Sequence, residues 1–226
     1  DIGNMCRKMG INVPLALALQ AKGLNTPKKV KDYFNTENYS FGDITELIGV
    51  KRSFEIIEKA INENKKIFIY GDYDVDGITS ITVLKKFLNE RGLDVDYYIP
   101  NRLEEGYGLN KEAIEEIAKK GYKLMITVDC GISGVEEVEL ANSLGIETII
   151  TDHHEQLDVL PNAYAIINPK RRDNTYPFRG LAGVGVVFKV IQAISMKLNL
   201  DEKEYLKYLD IVCIGTISDI VPLVDE

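Results

Sequence analysis

One local pattern, repeated three times, limits the fold more than any other feature of the chain. Residues 66–70 (KIFIY) run into Gly71-Asp72-Tyr73-Asp74-Val75-Asp76-Gly77. Residues 124–128 (LMITV) run into Asp129-Cys130-Gly131, and residues 147–151 (ETIIT) into Asp152-His153-His154. Each is a short, apolar, β-branched run that ends on acidic side chains. Two more runs of the same kind, 95–99 (VDYYI) and 163–167 (AYAII), lack the acidic ending. Between them lie segments of helical spacing, 78–91, 111–120 and 135–144, closing on Gly92, Gly121 and Gly145, the common residue just past a helix end. Strand and helix alternating at this spacing predict an α/β fold, a mainly parallel five-stranded sheet flanked by helices with right-handed crossovers. Ligands of such sheets bind beyond the carboxyl ends of the strands. The fold therefore delivers all three acidic motifs to one edge.

Taken singly, the motifs are ordinary. Asp-x-Asp-Gly is usually a turn, and an Asp after a strand is usually a helix N-cap. Their equivalent positions in successive βα units carry the argument. Five Asp residues from three loops repel one another at neutral pH, and divalent cations between them relieve that repulsion. Both histidines of the chain fall in the same cluster. Carboxylate oxygens suit Mg²⁺ or Mn²⁺, and an imidazole tilts the choice toward Mn²⁺. Two alternatives fail. An EF-hand loop starting at Asp72 needs a Glu at its twelfth position, where Val83 stands, and a helix before it. A haloacid-dehalogenase reading of Asp74-Val75-Asp76-Gly77-Ile78-Thr79 leaves Asp72, Asp129 and Asp152-His153-His154 unexplained.

The segments GDYDVDGITS, TVDCGIS and TDHHE resemble the first three motifs of the DHH phosphoesterases, and GTISDIVPL, with Asp219, the fourth. YIPNRLEEGYGLN (98–110), NPKRRDNTYPFRGLAGVGVVFK (168–189) and LDIVCIGTISDIVPL (209–223) make the chain most similar, within that superfamily, to the RecJ-type exonucleases. Ser218 departs from an Ala frequent in RecJ-like chains. The resemblance implies metal-dependent phosphodiester hydrolysis, the 5′→3′ exonuclease core for single-stranded DNA in repair and recombination. It implies two ions, Mn²⁺ or Mg²⁺. One would be held by Asp74 and Asp129 with Asp72 beside it, the other by Asp76, Asp129, His153 and Asp219, so that Asp129 bridges. Asp152 would orient a neighbouring ligand, and His154 would face the substrate phosphate as a donor or proton carrier. Two other functions stay open: a phosphodiesterase of short oligonucleotides or cyclic dinucleotides, and a non-catalytic replication scaffold, which should have lost ligands this chain retains.

For the substrate, Arg102 lies just past the strand at 95–99, on the acidic edge. Arg179 and Lys189 flank Gly180-Leu181-Ala182-Gly183-Val184-Gly185. A Gly-rich helix start can hold an anion on its N–H groups, and close helix–sheet packing explains Gly183 and Gly185 equally well. Asn101 and Tyr107 are candidates for a sugar or base contact.

Composition sets the remaining bounds. The chain has 226 residues and a net charge of −8, the wrong sign for a free-standing nucleic-acid binder. Three scattered cysteines exclude a disulfide framework and fit a reducing cytoplasm. No apolar run reaches membrane-spanning length, and no leader pattern follows the initial Asp. Residues 1–52 read as a helical and irregular segment packing on a DHH domain at 53–226, with helices at 53–64, 184–198 and 202–217 and an irregular connection at 33–49. The expected partners are single-stranded DNA, further C-terminal domains called DHHA1 and OB-like, and a helicase or single-strand-binding protein, with no membrane.

Overall fold

The structure, a computed structural model, describes residues 2–35, 41–63 and 65–224. It divides into two compact units, Asp1–Phe41 and Gly42–Glu226. Among the described residues no helix is long and apolar enough to cross a membrane.

The first unit holds α1 (Ile2–Met9), α2 (Val13–Ala21) and α3 (Pro27–Phe34). Asn12 caps α2 by accepting from Leu15 N at 3.0 Å, and Thr26 caps α3 by accepting from Lys29 N at 3.3 Å. These bonds satisfy backbone donors that a helix start leaves open. Met5, Ala16, Leu19 and Val30 form a small core between the three helices. The irregular connection expected at 33–49 is helical at its start, in α3, and carries a 3-10 turn at Ile44–Glu46; its centre, 36–40, lies outside the described residues.

The second unit begins with that 3-10 turn and α4 (Val50–Asn62), so the expected boundary at residue 52 falls inside a helix. Val50, Phe54, Ile57 and Ala60, spaced by three or four, are the buried stripe of α4. The strands are β1 (Ile67–Gly71), β2 (Val95–Tyr98), β3 (Leu124–Val128), β4 (Glu147–Thr151) and β5 (Ala165–Ile167). All pair in parallel, in the order β2-β1-β3-β4-β5. Every residue of β1 and β3 is buried, as central strands covered on both faces require.

Helices α5 (Val75–Asn89), α6 (Lys111–Lys119) and α7 (Val135–Ser143) make the crossovers. Phe68, Tyr70 and Met125 project from the sheet into one core with Ile114 and Ile117 of α6 and Ala141 of α7. The other face meets α5 and α8 (Gly183–Lys197). The single helix expected at 202–217 is two, α9 (Lys203–Leu206) and α10 (Leu209–Ser218). The break lets Tyr205 and Tyr208 both turn inward, with ring centroids 5.7 Å from Phe188 and 6.5 Å from Phe87.

The strand order reverses direction between β1 and β3. A crevice opens at such a switch point, and ligands of open α/β sheets bind there. The chain leaves β1 at Asp72 and β3 at Asp129, one on each side of the crevice.

Candidate metal centre

Each acidic side chain is set by the local course of the chain. Asp74 is the N-cap of α5 and accepts from Gly77 N at 2.9 Å, which puts Asp76 in the first turn. The helix therefore starts three residues before the expected position 78. A Cβ at Gly77 would stand 2.5 Å from the Asp72 carbonyl oxygen, so only glycine lets α5 close over the end of β1. Asp129 leaves β3 with φ at 59°, and its N–H donates to the Thr151 carbonyl at 2.9 Å. Left-handed backbone costs a non-glycine residue about 1 kcal/mol, and such strain concentrates at functional sites. Asp152 leaves β4 with its N–H on the Ile167 carbonyl at 3.0 Å.

These side chains converge. His153 Nε2 lies 3.1 Å from Asp129 Oδ1, 3.6 Å from Asp219 Oδ2 and 3.7 Å from Asp76 Oδ2. One ligand atom each from Asp76, His153 and Asp219 lies within 4.8 Å of the others, and the same holds for Asp72, Asp74 and Asp129. Asp129 also groups with His153 and His154 at that spacing, which places it between the two sets. Asp219 arrives from the C-terminal end of α10. That approach needs Gly215, where a Cβ would stand 2.3 Å from Thr79 Oγ1 and 2.8 Å from Val184 Cγ1.

Asp72, Asp76, Asp129 and His153 are buried, Asp219 is partly buried and Asp74 is exposed, and the electrostatics follow. Burial raises the Asp72 carboxyl above its ordinary value, and the Asp74 charge adds to the rise. Burial raises Asp76 as well, against opposition from the Val184 N–H, His153 and the Gly183 N–H. It raises Asp129 furthest, with Asp76 and Asp74 pushing the same way. Burial lowers His153, which favours the neutral imidazole a metal ligand needs. Asp72 Oδ1, Asp129 Oδ1 and both ring nitrogens of His153 are buried without a hydrogen-bond partner among the described residues. An orphaned buried polar atom costs about 1–3 kcal/mol. Four of them on three residues, ringed by further carboxylates, fit a divalent cation centre.

Asp152 has a different task. Its Oδ1 accepts from the N–H groups of His153 at 2.7 Å and His154 at 3.0 Å, and its Oδ2 from Ile132 N at 2.9 Å. His154 Nδ1 lies 2.8 Å from the same Oδ1. Complete burial works against the Asp152 charge, but His154 and these N–H groups prevail and hold the carboxyl below its ordinary value. The Asp152 hydrogen bond in turn raises His154 to about 9. Tyr107 OH, 3.0 Å from His154 Nδ1, closes the network from the β2–α6 loop.

The other expected residues scatter. Arg102 is exposed, its guanidinium 5.4 Å from the centroid of the Tyr73 ring between Asp72 and Asp74. Asn101 is occupied within its own turn, by Leu103 N and Glu104. Arg179 donates to the Lys170 carbonyl at 2.6 Å and so ties down the loop before α8. Lys189 is 1% exposed, with its ammonium 5.8 Å from the centroid of the Tyr176 ring, and does not present its charge to solvent. Gly185 packs on Leu181. Gly183 belongs to the centre itself: its N–H donates to Asp76 Oδ2 at 2.6 Å and Val184 N donates to Asp76 Oδ1 at 2.8 Å. The start of α8 thus holds an anion, as helix N-termini do, but the anion is the chain's own carboxylate. The sequence pattern did not reveal Val184 N or Gly215; a glycine four residues before Asp219 in an otherwise apolar helix was the available signal.

The family model described as the DHH family, N-terminal domain, matches residues 66–216. The single-stranded-DNA-specific exonuclease RecJ of Bacillus subtilis is 42% identical over 225 residues, covering 100% of this chain and 28% of its own length. The chain spans between 26% and 34% of the length of the curated relatives it matches. A crystal structure of exonuclease RecJ bound to manganese superposes with a TM-score of 0.72 at 35% identity, covering 78% of this chain and 44% of that one. RecJ of Thermus thermophilus in complex with Mn²⁺ gives 0.75 at 27% identity, covering 98% and 31%. The same protein with Mg²⁺ gives 0.61 at 25% identity, covering 98% and 27%.

Proposed function

The chain belongs to the DHH family, and from that premise we propose that it is the catalytic core of a single-strand-specific DNA exonuclease working from the 5′ end. One observation carries the reading. Asp129, strained and buried, stands between two sets of ligand atoms at the switch point of a parallel sheet. That is the arrangement two divalent cations need to share a bridging carboxylate. The RecJ structures hold Mn²⁺ and Mg²⁺, and the same ions suit this donor set.

Asp72, Asp74 and Asp129 would hold one ion, and Asp76, Asp129, His153 and Asp219 the other. When bound, such ions supply an activated water and charge stabilisation at phosphorus. The protein's own residues do the rest. Asp76 is fixed by the Gly183 and Val184 N–H groups, so it cannot swing to accommodate a misplaced ion. Asp152 aligns His153 and His154 through their backbone N–H groups. Asp152, 2.8 Å from His154 Nδ1, favours the protonated ring, and His154 would serve as the donor to a phosphate oxygen. Arg102, resting on Tyr73, binds the next phosphate outward.

The test is a manganese titration with two substrates, a 5′-labelled single-stranded DNA and a dinucleotide. Metal-dependent loss of 5′ nucleotides from the DNA supports the reading. Cleavage of the dinucleotide alone would make the chain a short-oligonucleotide phosphodiesterase. No hydrolysis of either, with metal demonstrably bound, would make it a non-catalytic relative.

A further inference from the structure

The net charge conceals an asymmetry. Residues 1–41 contain 6 Lys and Arg against 3 Asp and Glu, a net +3, whereas residues 42–226 contain 21 against 32, a net −11. The catalytic unit is strongly acidic and the small helical unit is basic. Arg7, Lys8, Lys22, Lys28, Lys29 and Lys31 are all exposed, and none is ion-paired among the described residues.

Helix α3 concentrates this charge. Val30 faces the core of the unit. Lys28 and Lys31 are three apart, and Lys29 and Tyr33 four apart, so each pair are neighbours on the helix surface. Tyr33 and Phe34 are 51% and 56% exposed, with ring centroids 5.3 Å apart and planes at 82°. Two large aromatic rings beside three lysines serve no purpose in the core of the unit. Lysines that follow a phosphate backbone, with aromatic faces on which bases stack, are the parts of a sequence-tolerant single-strand binding surface. Asp32 is the one acidic residue on this helix.

We propose that α3 of the N-terminal unit is a docking surface for the backbone and bases of single-stranded DNA. It supplies the positive charge that the acidic catalytic unit lacks. The proposal rests on the reading of the chain as acting on single-stranded DNA, and it assigns part of the grip to residues outside the metal centre. The partner's chemistry is a flexible polyanion with exposed bases. An anionic membrane surface would use the same lysines but would have no need for stacking geometry.

The test uses the full chain and a fluorescent 30-nucleotide oligo(dT), titrated over a range of salt. Each phosphate neutralised on a single strand adds about 0.7 to the slope of log affinity against log salt. Lys28→Gln, Lys29→Gln and Lys31→Gln together should lower the slope by about 2 and weaken binding at least tenfold. Tyr33→Ser and Phe34→Ser should each weaken binding about five- to 150-fold with the slope unchanged, since stacking contributes about 1–3 kcal/mol per base. Asp32→Asn should tighten binding, a gain that a damaged fold cannot produce. Metal-dependent hydrolysis of a dinucleotide, which offers no run of phosphates for α3 to follow, should be the same in all variants. Unchanged oligo(dT) binding and slope in the triple lysine variant, with dinucleotide hydrolysis intact, would overturn the docking surface and leave the proposed function standing. Loss of binding to phosphatidylserine vesicles, with DNA binding retained, would overturn it in favour of a membrane. A wild-type chain that hydrolyses neither substrate would instead refute the proposed function.

Discussion

Asp129→Asn should make the metal-free protein more stable and cut the stabilisation that Mn²⁺ gives, so that the gap between the two melting temperatures narrows when Mn²⁺ is added. Asparagine is the right substitution because Asp129 sits at φ 59°, and Asn tolerates left-handed backbone better than Ala. Burial and two neighbouring carboxylates raise Asp129 well above its ordinary value. An acid whose folded pKa exceeds its unfolded pKa contributes stability that is whole below about pH 4. That stability is lost as pH rises through the folded value. One pH unit corresponds to about 1.4 kcal/mol for one such group. By pH 7 the metal-free wild type has therefore given up as much as about 4 kcal/mol. The substituted amide has no proton to lose and escapes that penalty.

With metal the gap closes. A ligand at a hundred times its Kd adds about 2.7 kcal/mol per site, so two ions sharing Asp129 add about 5 kcal/mol. For a chain of 226 residues a kcal/mol is worth about 2–4 °C, and wild type should gain about 10–20 °C. The variant loses a ligand from both sites and should gain less than half of that. Melting curves in EDTA and across an Mn²⁺ titration, at pH 5 and pH 7.5, decide the matter. In EDTA the variant's advantage should be large at pH 7.5 and smaller at pH 5. A variant that melts with wild type in EDTA at both pH values, or that keeps the full Mn²⁺ shift, would show that Asp129 is neither crowded nor shared.

Gly183→Ala should abolish metal-dependent hydrolysis while leaving far-UV circular dichroism unchanged, because the new Cβ would stand 2.5 Å from Asp129 Oδ1; a variant of wild-type turnover would show that α8 can back away from the centre. Asp152→Asn should bring His154 down from about 9 toward the ordinary histidine range and cost about 1–3 kcal/mol of stability, because the buried N–H groups of His153, His154 and Ile132 lose a charged acceptor. Imidazole NMR titration and denaturant melts measure the two effects, and an unmoved His154 would remove Asp152 as the source of its charge. Arg102→Ala should raise KM for single-stranded DNA more than it lowers kcat, because an exposed phosphate-holding group supplies mainly uniform binding; an unchanged KM would take Arg102 out of the substrate path.

The strands and their acidic endings were legible because buried parallel strands are continuous apolar runs, and a run of that kind can end only where the chain leaves the sheet. Asp72, Asp129 and Asp152 therefore declared their places without any knowledge of packing. What stayed illegible depends on how helices meet. Asp-Gly at 76–77 reads as a turn, but Asp74 captures Gly77 N and starts the helix there. The Gly-rich segment before Val186 reads equally as an anion cradle or as close packing. It is both, since Gly183 and Val184 N–H groups cradle Asp76 and no Cβ fits at Gly183 beside Asp129. Lys189 reads as a surface cation because its neighbours in sequence say nothing of which face of α8 turns inward. Asp219 is 67 residues from Asp152 in sequence, and only the packing of α10 against α5 and α8 brings it to His153.

Strain in this protein is densest at one end of the sheet, where Asp129 and Ile220, the latter beside Asp219, hold two of the three positive-φ positions of non-glycine residues among those described. Asp129 occupies left-handed backbone, Gly131 beside it has φ 107°, and four buried polar atoms of Asp72, Asp129 and His153 lack partners among the described residues. Elsewhere the buried atoms without a partner include the neutral hydroxyls of Ser80, Thr148, Ser195 and Tyr208. The four at the crevice are different. These belong to residues that share neighbours within 4.8 Å and repel one another. A single event, the arrival of positive charge between them, relieves the repulsion and satisfies the orphaned atoms together. The catalytic unit is in this sense built around a deficit. Its own fold brings the carboxylates within 4.8 Å of one another, and binding energy from cations would complete what folding alone leaves unfinished.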